Sequence, residues 1–237
     1  MLFLHETHRV VGAREDDFEA AYRDGWMPTL AQEENARLLW YTNHAHGSGL
    51  AYNVVTVTGI ADGAAWETLA RRAQSGDLAP WMRELDNLRH EVTGKILLPV
   101  DWSPLQEVDL ATVPTDGATH SPSLFMEDTG WPYAALDDYI RSWDEIYYRV
   151  LSKAPPGRRV LEIQACFQVA HGSYKRREAM LWQKIDATND YAALKHLLTT
   201  DIPPEHRGPG TYMFEALKYR DQWESRLLRT SAWSPLY

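Results

Sequence analysis

The sequence predicts an α+β fold made twice: two copies of one β-α-β-β-α-β unit closed on each other in a single 237-residue chain. Three blocks of self-similarity predict it. "AHGS" stands at 45–48 and again at 170–173, and at this offset of 125 the match continues without a gap to Ile60 on Ile185, Trp66 on Tyr191 and Leu69 on Leu194. Residues 81–105 fall on 212–236 at an offset of 131, matching Met82, Glu84, Arg89, Leu97 and the whole of "WSPL". An offset of 121 or 122 places Leu2 and Phe3 on Leu124 and Phe125, and "DDF" (16–18) on "DDY" (137–139). Repetition on this scale fixes the architecture before any local pattern is considered.

Each copy has the same order of patterns. "LFLHETH" (2–8) is a short strand. "REDDFEAAYRDGWMPTL" (14–30) sets Phe18, Ala21, Tyr22 and Trp26 on one helical face behind an acidic start. "ARLLWYTNHA" and "AYNVVTVTGI" are two strands joined by a turn at "HGSG". The repeated His46 and His171 each precede a glycine able to take the positive φ of such a turn, which assigns them to the scaffold rather than to chemistry. Helices follow at about 64–73 and 79–88, and "GKILLPV" closes the unit as a strand. This is the order of the ferredoxin-like split unit. One such unit leaves an apolar sheet face bare, whereas two can bury those faces on each other, so the expected product is an intramolecular barrel. The units are expected at 1–109 and 124–237, with the polar run 110–123, containing Pro114 and Pro122, as connector. "WSPL" is expected to anchor the end of each repeat through its tryptophan.

On the stretches "LFLHETHRVVGAREDDFEAAYRDGWMP" and "LFMEDTGWPYAALDDYIRSWDEIYYRVL", and on the tandem arrangement, the chain resembles the dimeric α+β barrel superfamily and, within it, the NIPSNAP-like branch. The resemblance implies the barrel but not one reaction, because the wider superfamily includes cofactor-free monooxygenases, cyclases, lyases and haem proteins.

Composition narrows the partners. A net charge of −9, with no basic stripe to offset it, disfavours nucleic acid. The single Cys166 excludes an internal disulfide framework. The start lacks a basic region before an apolar run, and no apolar stretch has membrane-spanning length, so a cytoplasmic protein is expected. Ten Trp and twelve Tyr suit a heavy aromatic core and equally an aromatic-walled pocket for a small molecule. Self-association as a homo-oligomer is compatible with the sequence.

Polar residues present in one copy only are the candidates for a site. His5, His8 and His44 stand opposite Glu127, Gly130 and Val169. In the split unit the first two long strands run parallel with a third between them, so His8 and His44 are expected at one rim, about 10 Å apart at the backbone, with Tyr52 and Asn53 beside them. Histidine suits proton transfer because its ordinary pKa is about 6.5. In the second copy "LEIQACFQV" alternates Glu162, Gln164, Cys166 and Gln168 with Leu161, Ile163, Ala165 and Phe167, and "REAMLWQKI" puts Glu178, Met180 and Trp182 on one face. If the polar sides meet, Glu162 and Glu178 face a pocket and raise each other's pKa; otherwise that face lies in water.

The function expected is a small-molecule enzyme working without an organic cofactor on an aromatic or polyketide-like substrate, by monooxygenase, cyclase or lyase chemistry. His5, His8, His44 and Glu178 are the candidate bases or orienters, and Trp40, Tyr52, Asn53, Trp66, Glu162 and Trp182 the binding residues. The pocket is expected between sheet and helices of the first copy. Two alternatives stand beside it: a non-catalytic binding or assembly protein, and a haem protein with His196 or His171 as axial ligand. No metal site is expected, because His8, His44 and His46 lack a carboxylate at ligand spacing.

Overall fold

The computed structural model describes residues 1–155, 159–173, 175–185, 195 and 208–237. Eight strands form a closed, antiparallel barrel: β1 (Leu2–Val10), β2 (Ala36–His44), β3 (Asn53–Ile60), β4 (Arg89–Pro99), β5 (Leu124–Gly130), β6 (Leu161–His171), β7 (Ala179–Ile185) and β8 (Trp223–Thr230). Around the barrel the order is β1-β3-β2-β8-β5-β7-β6-β4. It resolves into β4-β1-β3-β2 and β8-β5-β7-β6, one ordering used twice. The two sets join where β2 meets β8 and where β4 meets β6. Closure leaves no sheet edge, which is the physical gain over either set alone.

Helices cover the outer faces. α1 (15–30) begins as Glu15–Ala20, widens into a π-helical stretch at Ala21–Trp26 and closes with Met27–Leu30. α2 (Gly63–Ser75) starts at an Asp62 cap that accepts from the Ala65 N–H, and α3 is Ala79–Leu88. α4 (136–151) repeats the design of α1, with a π-helical stretch at Trp143–Tyr148, and α5 is Tyr212–Ala216. The two π stretches are 122 residues apart, the offset of the strands that precede them. Each π turn takes an extra residue, which rotates the following side chains and seats Tyr22 and Trp26 on the sheet. Among the described residues no helix is long and apolar enough to cross a membrane.

Three cores result. Phe18, Tyr22, Trp26 and Leu30 pack on the outer face of the first four strands; Tyr139, Ile140, Trp143 and Cys166 form the equivalent layer in the second set; and Phe3, Trp40, Val57, Leu97, Phe125, Phe167 and Trp182 fill the barrel. Strands β2 and β3 are buried on both faces, and so read as apolar runs rather than as alternation. Leu110 and Val113, from the run expected to be a polar connector, are buried in the barrel core beside Leu39 and Val55.

The repeated "WSPL" has a role that its tryptophan alone did not suggest. β2 and β6 carry bulges at equivalent places, between Leu38 and Trp40 and between Ile163 and Ala165. A bulge frees backbone N–H groups from the ladder. Ser103 Oγ accepts from the Cys166 N–H at 3.0 Å, and Ser234 Oγ accepts from the Tyr41 N–H at 3.0 Å. Each unit's serine thus satisfies the other unit's bulged strand, and each hydroxyl donates in turn, to the Leu105 and Leu236 carbonyls. Ser103→Ala and Ser234→Ala should each cost about 1–3 kcal/mol, because a buried N–H loses its acceptor; urea unfolding measures this.

At the β6–β7 turn the glycine carries the constraint. Gly172 has φ +90, and an added Cβ would stand 2.3 Å from the Gly94 carbonyl oxygen of β4. His171 beside it is exposed, and so is His46. Gly172→Ala is therefore expected to cost roughly 1–3 kcal/mol, while His171→Ala and His46→Ala change stability by no more than about 0.5 kcal/mol. Denaturation midpoints of the three variants check the contrast.

Candidate functional site

The chemistry-bearing residues separate according to the two faces of β1. Phe3 and His5 point into the barrel, whereas Leu4, Glu6, His8 and Val10 point towards the helices. His8 and His44 do lie near one rim, since His8 and Asn43 both stand opposite Val54 of β3. His44 is the residue after Asn43, which is level with His8, so its side chain falls on the opposite face of the sheet. The cluster expected of His5, His8 and His44 is thereby divided.

His5, His44 and Glu178 belong to the barrel interior. His5 Nε2 lies 2.7 Å from Glu127 Oε2, with both side chains buried, and Arg226 Nη1 stands 3.6 Å from the other oxygen of Glu127. Burial alone would raise the Glu127 pKa, but the charge and hydrogen bond of His5, then Arg226 and Lys95, outweigh it and hold the carboxyl at about 2. Glu178 is saturated as well: Lys95 pairs with one oxygen, and the other accepts from Trp131 Nε1 at 2.7 Å and from Ser173 Oγ at 3.1 Å. His44 ends β2 on the barrel side, with Gly49 of the following loop against its ring. Its ring nitrogens are buried without a hydrogen-bond partner among the described residues, and burial, then Arg226, lowers its pKa. The His5–Glu127 and Lys95–Glu178 pairs tie the first unit to the second across the barrel.

His8 occupies the helix side. Arg89 Nη1 is 2.8 Å from His8 Nδ1, and since a guanidinium only donates, Nδ1 must accept. The proton therefore sits on Nε2, which donates to Thr56 Oγ1 at 3.0 Å, with the Tyr22 hydroxyl at 3.4 Å. Burial, then Arg89, pushes the His8 pKa well below its ordinary value. A neutral histidine whose one lone pair is taken by arginine has no capacity left as a base.

Next to this network lies a cavity of about 400 Å³, between β1 and helices α1, α2 and α3. Trp26 and Trp66 supply aromatic wall, Leu4, Leu69 and Met82 apolar wall, and Ala70 and Ala73 leave the room. Arg83, exposed, also lines it. The carboxyl group in this lining is Glu6. Burial raises its pKa, only partly countered by Arg89, and it has no hydrogen bond to a described residue. An ionisable group shifted by burial and lining a cleft is a candidate for a functional site.

The remaining candidates fall elsewhere. Trp66 lines this cavity. Trp40 and Trp182 pack on each other in the barrel at 5.6 Å. Tyr52 is an exposed loop residue at φ 59 whose ring covers Gly12, and Asn53 begins β3 with its Oδ1 unpartnered among the described residues. Glu162 is exposed, opposite Lys184 of β7, and does not meet Glu178. The strict alternation read along 161–169 fails at the bulge, which sends Cys166 to the helix side and Ala165 and Phe167 into the barrel. His171 is exposed at the end of β6, which does not suit an axial haem ligand; His196 lies outside the described residues.

Sequence reasoning missed Glu6, though a signal existed. Glu6 is on the same period-2 face as Leu4 and His8, and the offset of 122 sets it on Asp128; Arg89 falls on Arg220 at 131. An acid and an arginine are thus kept in both units, and a search for residues unique to one unit passes over them. Asp128 is likewise raised by burial, but Gln183 donates to it at 2.8 Å and Tyr147 holds that amide from the far side at 2.8 Å. In the first unit the equivalent carboxyl stands without such a partner.

No protein-family model matches the chain, and no curated protein matches it. Among solved structures, a candidate monooxygenase from Lactobacillus acidophilus is similar over 99% of this chain and 97% of its own, at 9% identity and a TM-score of 0.56. An anthrone oxidase-like protein is similar over 97% of this chain and 91% of its own, at 8% identity and a TM-score of 0.55. An uncharacterized NIPSNAP domain protein from Burkholderia xenovorans is similar over 43% of this chain and 97% of its own, at 18% identity and a TM-score of 0.37. For the first two, at such identities, the likeness is one of fold.

Proposed function

We propose that this chain, which has the tandem dimeric α+β barrel fold, binds a small aromatic molecule in the sheet–helix cavity of its first unit and removes a proton from it with Glu6. The observation that carries the reading is a carboxyl group whose pKa is raised by burial, facing an apolar cavity with two tryptophans and without a hydrogen-bonding partner among the described residues. Raising a carboxyl towards neutrality makes it a better proton acceptor, which is what a general base near neutral pH requires. Arg89 beside it limits the rise and keeps the ionised form accessible.

The reaction class favoured is oxidation of an electron-rich hydroxyaromatic by dioxygen. Glu6 takes a carbon-bound or phenolic proton, and the resulting anion gives its electrons to dioxygen. For an anthrone the ring methylene becomes a carbonyl, one oxygen atom enters the product, and the other leaves as water with the two hydrogens. The protein binds, deprotonates and excludes bulk water, and the step asks for no organic cofactor. Support from the anthrone oxidase-like neighbour extends to the fold that houses such a pocket.

The test is oxygen uptake and quinone absorbance with 1,8-dihydroxyanthrone. The expected result is acceleration over buffer by the purified protein and loss of it in a folded Glu6→Gln variant. Equal rates in Glu6→Gln and the parent would remove the reading. Tight binding without turnover, unchanged by oxygen, would favour a binding protein instead.

A further inference from the structure

We propose that the far end of the barrel is a second small-molecule site, taking a neutral one- or two-ring aromatic molecule that bears a hydroxyl or carbonyl group, with Gln164 as its polar anchor. The inference is independent of the reading of the Glu6 cavity. A separate cavity of about 290 Å³ opens here, walled by Trp40, Phe125, Leu105 and Leu236 and flanked by Tyr237. Its walls are apolar, and Gln164 is the one amide among them. The Gln164 carboxamide, which can both donate and accept, makes no hydrogen bond with a described residue.

Internal duplication shows that a polar side chain is not needed at this point of the scaffold. Gln164 sits in the β6 bulge, and its twin in the β2 bulge, 125 residues earlier, is Leu39. Leu39 is fully buried, with Leu110 packed in the same core. The same backbone feature therefore carries a covered leucine in one unit and an unpaired amide facing a cavity in the other. A second donor stands at the wall: Trp40 is buried, and its indole N–H has no partner among the described residues. Buried polar groups are ordinarily paired, so the buried Trp40 N–H, at the same small cavity as the half-buried Gln164 amide, marks a place for a partner.

Tyr237 forms the cover. His120 stacks on its ring at 3.5 Å between centroids, and Lys184 Nζ donates to its main-chain oxygen at 2.7 Å. The lining carries no charged side chain, which selects a neutral ligand over an anion.

Fluorine NMR titration of the whole protein with 6-fluoro-2-naphthol tests the site, with 2-fluoronaphthalene as the probe lacking a hydroxyl. Two bound signals are expected for the naphthol, one lost in Trp66→Ala and the other weakened about tenfold in Gln164→Leu, the loss of one buried hydrogen bond. Gln164→Leu copies the residue of the twin position, and its thermal unfolding is measured alongside to show that the fold is kept. The hydroxyl-free probe should bind equally to the parent and to Gln164→Leu. A single bound signal that vanishes in Trp66→Ala, or two signals that Gln164→Leu leaves unchanged, would overturn the proposal. Loss of the Glu6 cavity's turnover in Glu6→Gln leaves the Gln164-dependent signal in place, so the two proposals fail separately.

Discussion

Glu127→Ala is expected to destabilise the protein by about 3–5 kcal/mol, the largest loss from any single polar substitution in the barrel. The carboxylate lies between the units: β5 carries it, while His5 reaches it from β1 and Arg226 from β8. Removing it takes from the buried His5 the carboxylate on which its Nε2 rests, and from Arg226 one of its two carboxylate neighbours. The pH dependence follows from the sign of the shift. With the folded pKa near 2 against an ordinary 4.5, the stabilisation is complete above about pH 4.5 and disappears as pH falls towards 2. Urea unfolding of the parent should therefore weaken through that window, and Glu127→Gln should lose most of that dependence. His5→Ala and the double variant complete a cycle, in which strong coupling between the two residues is expected.

Glu6→Gln should behave in the opposite way, with turnover reduced about 10²- to 10⁴-fold and stability unchanged or higher at neutral pH. Burial raises the folded pKa of Glu6, so its protonated form is favoured on folding. That contribution is present below the ordinary carboxyl range and is lost as pH rises through the folded value. Glutamine keeps the shape without the charge and removes the cost of ionisation in the cavity. Turnover by the parent should rise with pH across a limb lying above the ordinary carboxyl range. Melting temperature and rate, measured on the same preparation, separate a catalytic carboxyl from a structural one: Glu127 variants lose both, and Glu6→Gln loses one.

The two carboxylates also show what the sequence can disclose. Duplication and strand order were legible because they rest on spacing and apolar period, and the barrel follows from them. The His5–Glu127 pair was present in the alignment, as residues at one position of the repeat, 122 apart. When two units close about a common axis, such positions can meet across it, yet the sequence does not say which face of β1 turns inward. Both faces of this strand are partly buried, so hydrophobic alternation could not decide between His5 and His8 as the residue facing a cavity. The bulges at Leu38/Trp40 and Ile163/Ala165 were illegible for a related reason: one extra residue reverses every later side chain without altering composition. Glu6 was passed over because it is acidic in both units, and only its surroundings differ: Gln183 occupies Asp128, whereas Glu6 faces open cavity.

The most direct test of the central claim is a crystal structure of the protein with 1,8-dihydroxyanthrone bound under nitrogen, where the anthrone cannot be consumed. The ring system is expected against Trp26 and Trp66, with its acidic group within hydrogen-bond reach of Glu6. A molecule lodged instead against the second unit's helices, or among Glu178 and Trp182 in the barrel, would contradict it.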